Sequence, residues 1–163
     1  MSHQPVIDGF EFASAGASQQ GSLPIKGFPR LRDLLASDAG EVSYEVHGEQ
    51  DGRGRPALRV KVRGTLQLRC QRCLEALPFA VEESERLVLA ATQAEIDAQP
   101  ADVEAPDMVV ASDEMAVRDL VEDQLILALP YAPRHEGCEA GAAGEESGRI
   151  SPFAGLRGML HKN

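Results

Sequence analysis

The sequence predicts an α+β domain: a bent antiparallel sheet of about four or five strands covered by one long helix, with a short N-terminal helix and flexible tails. Three observations carry this reading. From Leu58 to Cys70 the even positions are Leu, Val, Val, Gly, Leu, Leu and Cys, while the odd ones are Arg, Lys, Arg, Thr, Gln and Arg. That period of two is the mark of a half-buried strand with a cationic outer face. Val42, Tyr44 and Val46 alternate in the same way with Glu41, Ser43, Glu45 and His47. Val117, Leu120, Val121, Gln124, Leu125 and Ala128 instead recur at helical spacing and stop before Pro130, so they form the apolar face of a helix.

The remaining elements follow in chain order. Residues 1–21 are rich in Gly, Ser, Gln and Ala and read as a mobile arm, because they offer too little apolar surface to offset the entropy of ordering. Phe28, Leu31, Leu34 and Leu35, with Pro29 in the first turn, read as a short amphipathic helix. The loop from Gly48 to Gly54 joins the two alternating segments into an antiparallel hairpin. Phe79 to Ala90 reads as a bulged or broken strand, since Glu82, Glu83 and Glu85 interrupt its apolar positions. Residues 91–105 show no period and read as a surface loop. Met108, Val109 and Val110 suit a short edge strand, and Ser112 or Asp113 suits the cap of a helix running to Leu129. One domain over 22–138 is expected. Residues 139–163 are read as a Gly/Ala/Glu-rich linker and an apolar tail with Phe153, Leu156 and Leu160 at helical intervals.

Charge narrows the classes of function. The 163 residues carry a net charge of −10, which does not suit a general nucleic-acid binder; any RNA contact must be local. The charge is uneven, net +2 over residues 1–73 and net −12 over 74–163. Arg59, Lys61, Arg63, Arg69 and Arg72 are the candidate contacts for RNA or a partner. The competing account pairs the strand cations with Glu41 and Glu45 across the hairpin, contacts worth about 0.2–1 kcal/mol each. The absence of an export pattern or of a long apolar run points to a cytoplasmic protein with no membrane partner.

Three cysteines do not make a disulfide framework in such a compartment. Cys70 and Cys73 are separated by two residues, and so are His135 and Cys138. The two pairs together make a candidate Cys3His site whose composition suits structural zinc. A reversible Cys70/Cys73 dithiol and simple packing stay open beside it. No nucleophile elbow, phosphate loop or His-Glu-x-x-His pattern is present, and Glu122 and Asp123, adjacent on a helix, read as solvated or capping rather than as a catalytic pair. The expectation is a protein that is not an enzyme.

Leu68-Arg-Cys-Gln-Arg-Cys-Leu-Glu75, then Leu120 to Pro130, then Pro133-Arg-His135 with Cys138 close behind and Pro152-Phe-Ala near the end resemble the YceD family of bacterial large ribosomal RNA subunit accumulation proteins. The resemblance implies a non-catalytic factor for synthesis, processing or stability of 23S ribosomal RNA. Its expected partners are the large-subunit rRNA precursor or ribosome-assembly proteins. The alternatives are a small dithiol redox enzyme and a zinc-stabilised adaptor without an RNA role.

Overall fold

The structure, a computed structural model, describes residues 4–138. Its elements are β1 (Val6–Ile7), α1 (Gly9–Ser14), β2 (Ser18–Pro24), β3 (Leu35–Ser37), β4 (Glu41–Gln50), β5 (Pro56–Arg69), β6 (Ala76–Ala90), α2 (Gln93–Asp97), β7 (Met108–Val110), β8 (Met115–Ala116) and α3 (Val117–Ala128). The main sheet runs β2-β4-β5-β6-β7, with β3 also pairing β5. Because β6 occupies one edge of β5 along its length, β3 takes the side of β4, at Gln67 and Leu68 beyond the point where β4 pairing ends at Gly64.

The two periodic strands form as the alternation requires. Leu58, Val60, Val62, Leu66, Leu68 and Cys70 of the long segment are buried, as are Val42, Tyr44 and Val46 opposite. At Gly64 the strand does not break. A Cβ there would lie 2.7 Å from Val42 Cγ1, so glycine lets two paired backbones carry a β-branched neighbour without a clash.

The expected covering helix is the main correction. Strands make up 41% of the described residues and helices 21%, and the sheet has six strands, not four or five. The helix α3 has 12 residues, so it is about 18 Å long. The two longest strands have 14 and 15 residues and run about 45–50 Å at 3.2–3.4 Å per residue. One short helix cannot roof them. It begins at Val117 rather than at Ser112 or Asp113 because Met115 and Ala116 are used as β8, paired with Ile7 and Val6.

The rest of the inner face is closed by N-terminal chain. No α-helix forms over 28–35; 3-10 turns at Ile25–Gly27 and Arg32–Leu34 insert Ile25, Phe28 and Leu31, all nearly fully buried. Each such side chain contributes about 1.5–3 kcal/mol of burial. Most of the segment read as a mobile arm forms β1, α1 and the start of β2. Asp8 caps α1 through a 2.8 Å bond from the Glu11 N–H, and α1 lies directly on β4, where a Cβ at Gly48 would come within 2.2 Å of Phe12 O. β2 is an edge strand with most side chains exposed, so it is held by backbone pairing to β4 over Ser18–Pro24.

Nor is β6 broken. Its register with β5 runs from Ala76 to Val88, because the backbone ladder is complete whether or not the side chains above it are apolar. The sheet is mixed rather than antiparallel: β7 runs parallel to β6, reached through a connection that carries α2. Among the described residues no helix is long and apolar enough to cross a membrane. The linker and apolar tail expected over 139–163 lie outside the described residues.

Candidate metal centre

The loop joining β5 to β6 is Cys70 to Glu75, so the Cys-x-x-Cys pair forms the tip of the longest hairpin. The Cys70 N–H donates to Glu75 O at 2.9 Å, and the Leu74 N–H donates to Cys70 O at 2.9 Å. The chain reverses with Leu74 at φ 64°, a left-handed conformation that costs a residue with a Cβ about 1–2 kcal/mol. Inside this turn the Arg72 N–H points at Cys70 Sγ, 3.5 Å away.

A second turn meets the first. Past α3, Pro130 and Pro133 keep the chain from continuing as helix, and Pro133 O accepts from the Gln71 N–H at 2.8 Å. The Cys138 N–H closes a turn onto His135 O at 3.2 Å, with Gly137 at φ 69°. The Arg72 guanidinium donates to Cys138 O at 2.6 Å. Two contacts to backbone carbonyls thus fix residues 133–138 against the hairpin tip.

The result brings together the four residues singled out by their spacing. One ligand atom from each of Cys70, Cys73, His135 and Cys138 lies within 4.8 Å of all the others. Ligand distances of about 2.0–2.3 Å in a tetrahedron imply edges of roughly 3.4–3.8 Å. Cys70 Sγ to Cys138 Sγ is 3.8 Å and Cys73 Sγ to His135 Nδ1 is 3.4 Å. The imidazole is oriented from behind, since His135 Nε2 lies 3.0 Å from Ala76 O. A proton on Nε2 donated to that carbonyl leaves the Nδ1 lone pair facing the sulfurs, the arrangement by which metal-binding histidines are set.

The electrostatics of the cluster favour a cation. The backbone N–H of Cys73, helped by those of Arg72 and His135, holds the Cys70 thiol down to about 5, so it is a thiolate at neutral pH. Cys138, desolvated and facing the Cys70 and Cys73 sulfurs, is pushed up to about 11. The Ala76 carbonyl, and then the Cys70 thiolate, raise His135. A second ionised sulfur beside the Cys70 thiolate would repel it unless a positive charge joined the two. The donor set, three sulfurs and one imidazole nitrogen, fits zinc.

The cationic residues separate into two groups. Arg59, Lys61 and Arg63 share the outer face of β5, and each meets a carboxylate: Glu49 at 2.9 Å, Glu45 at 3.4 Å and Glu82 at 3.3 Å. Arg86 adds a second partner to Glu49. Glu45 pairs as the alternation suggests, whereas Glu41 makes no ion pair among the described residues. Arg69 and Arg72 instead lie at the hairpin tip, and neither pairs with a carboxylate among the described residues.

Two participants had no clear signal in the sequence. Ala76 acts through its carbonyl, which any residue supplies. Glu122 is buried, 1% exposed. Its Oε1 accepts from the Arg30 and Leu31 N–H groups at 2.7 and 3.2 Å, and its Oε2 from Arg30 Nε at 3.0 Å. Asp123 takes the other side of the same guanidinium at 2.6 Å. The pair is therefore a clasp for the 28–31 segment, and its flanking of Val121 and Leu125 on the buried face was the available hint.

A family model described as large ribosomal RNA subunit accumulation protein YceD matches residues 58–159. No solved structure matches the chain.

Proposed function

The chain belongs to the YceD family of large ribosomal RNA subunit accumulation proteins, and from that premise we propose that it is a non-catalytic cytoplasmic factor supporting synthesis, processing or stability of 23S ribosomal RNA. The family match carries this reading. It spans β5, β6, α3 and both halves of the Cys/His cluster. The partners proposed are large-subunit rRNA precursors or the proteins that assemble on them. A strain lacking the protein should hold less mature 23S relative to 16S rRNA and show a large-subunit deficit in its ribosome profile. Unchanged ratios and profile would sink the proposal.

Zinc is the proposed occupant of the cluster, in a structural role. It would be held by Cys70, Cys73, Cys138 and His135 Nδ1, and its binding free energy would tie the exit of α3 to the hairpin tip. The dithiol alternative is weaker physically, because Cys70 is fully buried and the pair lies in a hairpin turn rather than opening a helix. Elemental analysis of chelator-free protein should give about one zinc per chain. A readily formed Cys70–Cys73 disulfide, with Cys138→Ser silent, would favour the dithiol instead.

For direct RNA contact, the strand cations are poor candidates by themselves, since a phosphate must displace carboxylates already in place. Arg69 and Arg72 have no such competitor. Changing Arg59, Lys61, Arg63 and Arg69 together to Gln should flatten the salt dependence of any RNA binding, and an unchanged slope would leave the stripe as a solvated sheet face.

A further inference from the structure

The sheet ends on one side in a strand whose outer edge is open. Ala17 O accepts from the Gly48 N–H at 2.8 Å and the Ile25 N–H donates to Gly40 O at 3.0 Å, on the same register that pairs β2 with β4. Bonded and non-bonded pairs alternate along an antiparallel ladder, so Gln19, Gly21 and Leu23 turn their backbone groups to β4. Ser18, Gln20 and Ser22 turn theirs away, and these groups meet no other backbone among the described residues. Pro24, which has no N–H, and Gly16, at φ 58°, bound the open stretch.

Open edges are usually guarded by charge, above all by lysine. In a chain of which 26% is charged, β2 reads Ser-Gln-Gln-Gly-Ser-Leu-Pro and has no charged residue. A second observation lies on the inner face of the same edge. Tyr44 is 7% exposed and its ring lies over Gly21, where a Cβ would come within 3.0 Å of the hydroxyl oxygen. That hydroxyl has no hydrogen-bond partner among the described residues. No fully enclosed side-chain polar atom lacks a partner, so the hydroxyl opens to solvent beside β2.

We propose that this edge seats a second copy of the chain, the two β2 strands pairing antiparallel about a two-fold axis at Gln20. The strand is its own complement in that register. Ser18 meets Ser22 of the second copy, Gln20 meets Gln20 and Ser22 meets Ser18, each pair exchanging two N–H···O bonds. These outward positions, Ser-Gln-Ser, read the same in both directions. Amide therefore meets amide and hydroxyl meets hydroxyl, each both donor and acceptor. Ser18 Oγ, already 2.6 Å from His47 Nδ1, keeps an acceptor for the facing hydroxyl. On the inner face Leu23 meets Ala17, and Gln19 lies against Gly21, where its amide can bond the open Tyr44 hydroxyl. Gly16 and Pro24, each four residues from Gln20, end the ladder opposite one another. An unrelated strand has no cause to match this symmetry, whereas a second copy matches it at every position. The pairing depends neither on the metal nor on the ribosomal role.

Sedimentation of the full-length protein tests this. An interface of one strand is small, so the range runs from about 1 μM to about 0.5 mM, and over it the mass should rise from one chain to two. Gln20→Lys and Gln20→Glu change an exposed side chain and should keep the Tm of the unmodified protein. Each should weaken the dimer at least about tenfold, because the axis sets like charges against each other. Mixed in equal amounts, the two variants should pair again, as only a contact of residue 20 with its own copy allows. A chain that stays single at the highest concentration, a dimer that survives both substitutions, or variants that do not pair on mixing would each overturn the proposal.

Discussion

The carboxylate of Glu122 and the thiol of Cys70 are both buried, 1% and 0% exposed, and each gathers a distant stretch of chain onto the sheet. They differ in what completes them. At Glu122 every bond is supplied by the protein: two backbone N–H groups and the Arg30 guanidinium surround one carboxylate. At Cys70 the groups that meet are three sulfurs and an imidazole nitrogen, donors of electron pairs with few protons to share. The first clasp is finished by folding; the second is a donor set that a cation could complete. The same chain thus joins its N-terminal segment by charge pairing and brings its α3 exit to the hairpin tip at a cluster of residues that could hold a metal ion.

Chelation should separate the two clasps most sharply. If the cluster holds zinc, removing it should cost about 4 kcal/mol at metal concentrations a thousandfold above Kd, read as a fall in Tm. In chelated protein Cys70→Ser should then change little. Cys70→Ser and Cys138→Ser together should be scarcely worse than either alone, because one site is broken in each case. A Tm indifferent to chelator would leave packing as the account of the cluster.

Glu122→Ala should come next, at about 3 kcal/mol in urea unfolding, since it strands the Arg30 and Leu31 donors in the interior. Its effect should be the same with and without chelator, and additive with Cys70→Ser. Strong non-additivity would show that the clasps are one cooperative unit.

A stabilising change is expected at the hairpin tip. Leu74→Gly removes a left-handed Cβ penalty, at some entropic cost, and should raise stability by up to about 1 kcal/mol. The increment should persist after chelation if the turn forms without metal.

The smallest effect belongs to the ion-paired face. Burial pushes the Glu49 carboxyl up, but hydrogen bonds from Arg59 and Arg86 outweigh it and hold the group below its ordinary value of 4.5. A lowered carboxylate adds stability that is fully present above the unfolded value and is lost as pH falls through the folded one. Arg59→Gln should therefore cost under about 1 kcal/mol at neutral pH and nothing below the acid transition. Equal loss at both pH values would assign the effect to packing of the arginine stem.

What could be read in advance follows from which signals are local. The alternation at Leu58–Cys70 and Val42–Val46 reports one face of one strand, and it placed β5 and β4 directly. Spacing at Cys70/Cys73 and His135/Cys138 reports two turns, and it named a cluster that only the tertiary path from α3 could assemble. Ser18–Pro24 carried little such signal, because in this edge strand Leu23 is the one apolar side chain that packs against the core and the rest is held by its backbone. Glu82, Glu83 and Glu85 misled for a related reason: the ladder tolerates charged residues wherever the roof above them is open. The part of the roof built from Ile25, Phe28 and Leu31 misled in the opposite way: its spacing of three residues imitates a helix, while the chain there is held in 3-10 turns.

The pairing of β1 with β8 has a consequence for how the molecule comes into being. Val6 and Ile7 meet Ala116 and Met115, whereas β4, β5 and β6 meet their neighbours through short loops. Local hairpins close quickly and distant strands slowly. During synthesis from the N-terminus, the β4-β5-β6 meander can assemble while the first residues still wait for a partner yet to be translated. The opening segment is made first and seated late, so early chains carry it as loose polypeptide, exposed to proteases and to other nascent chains until residue 116 emerges.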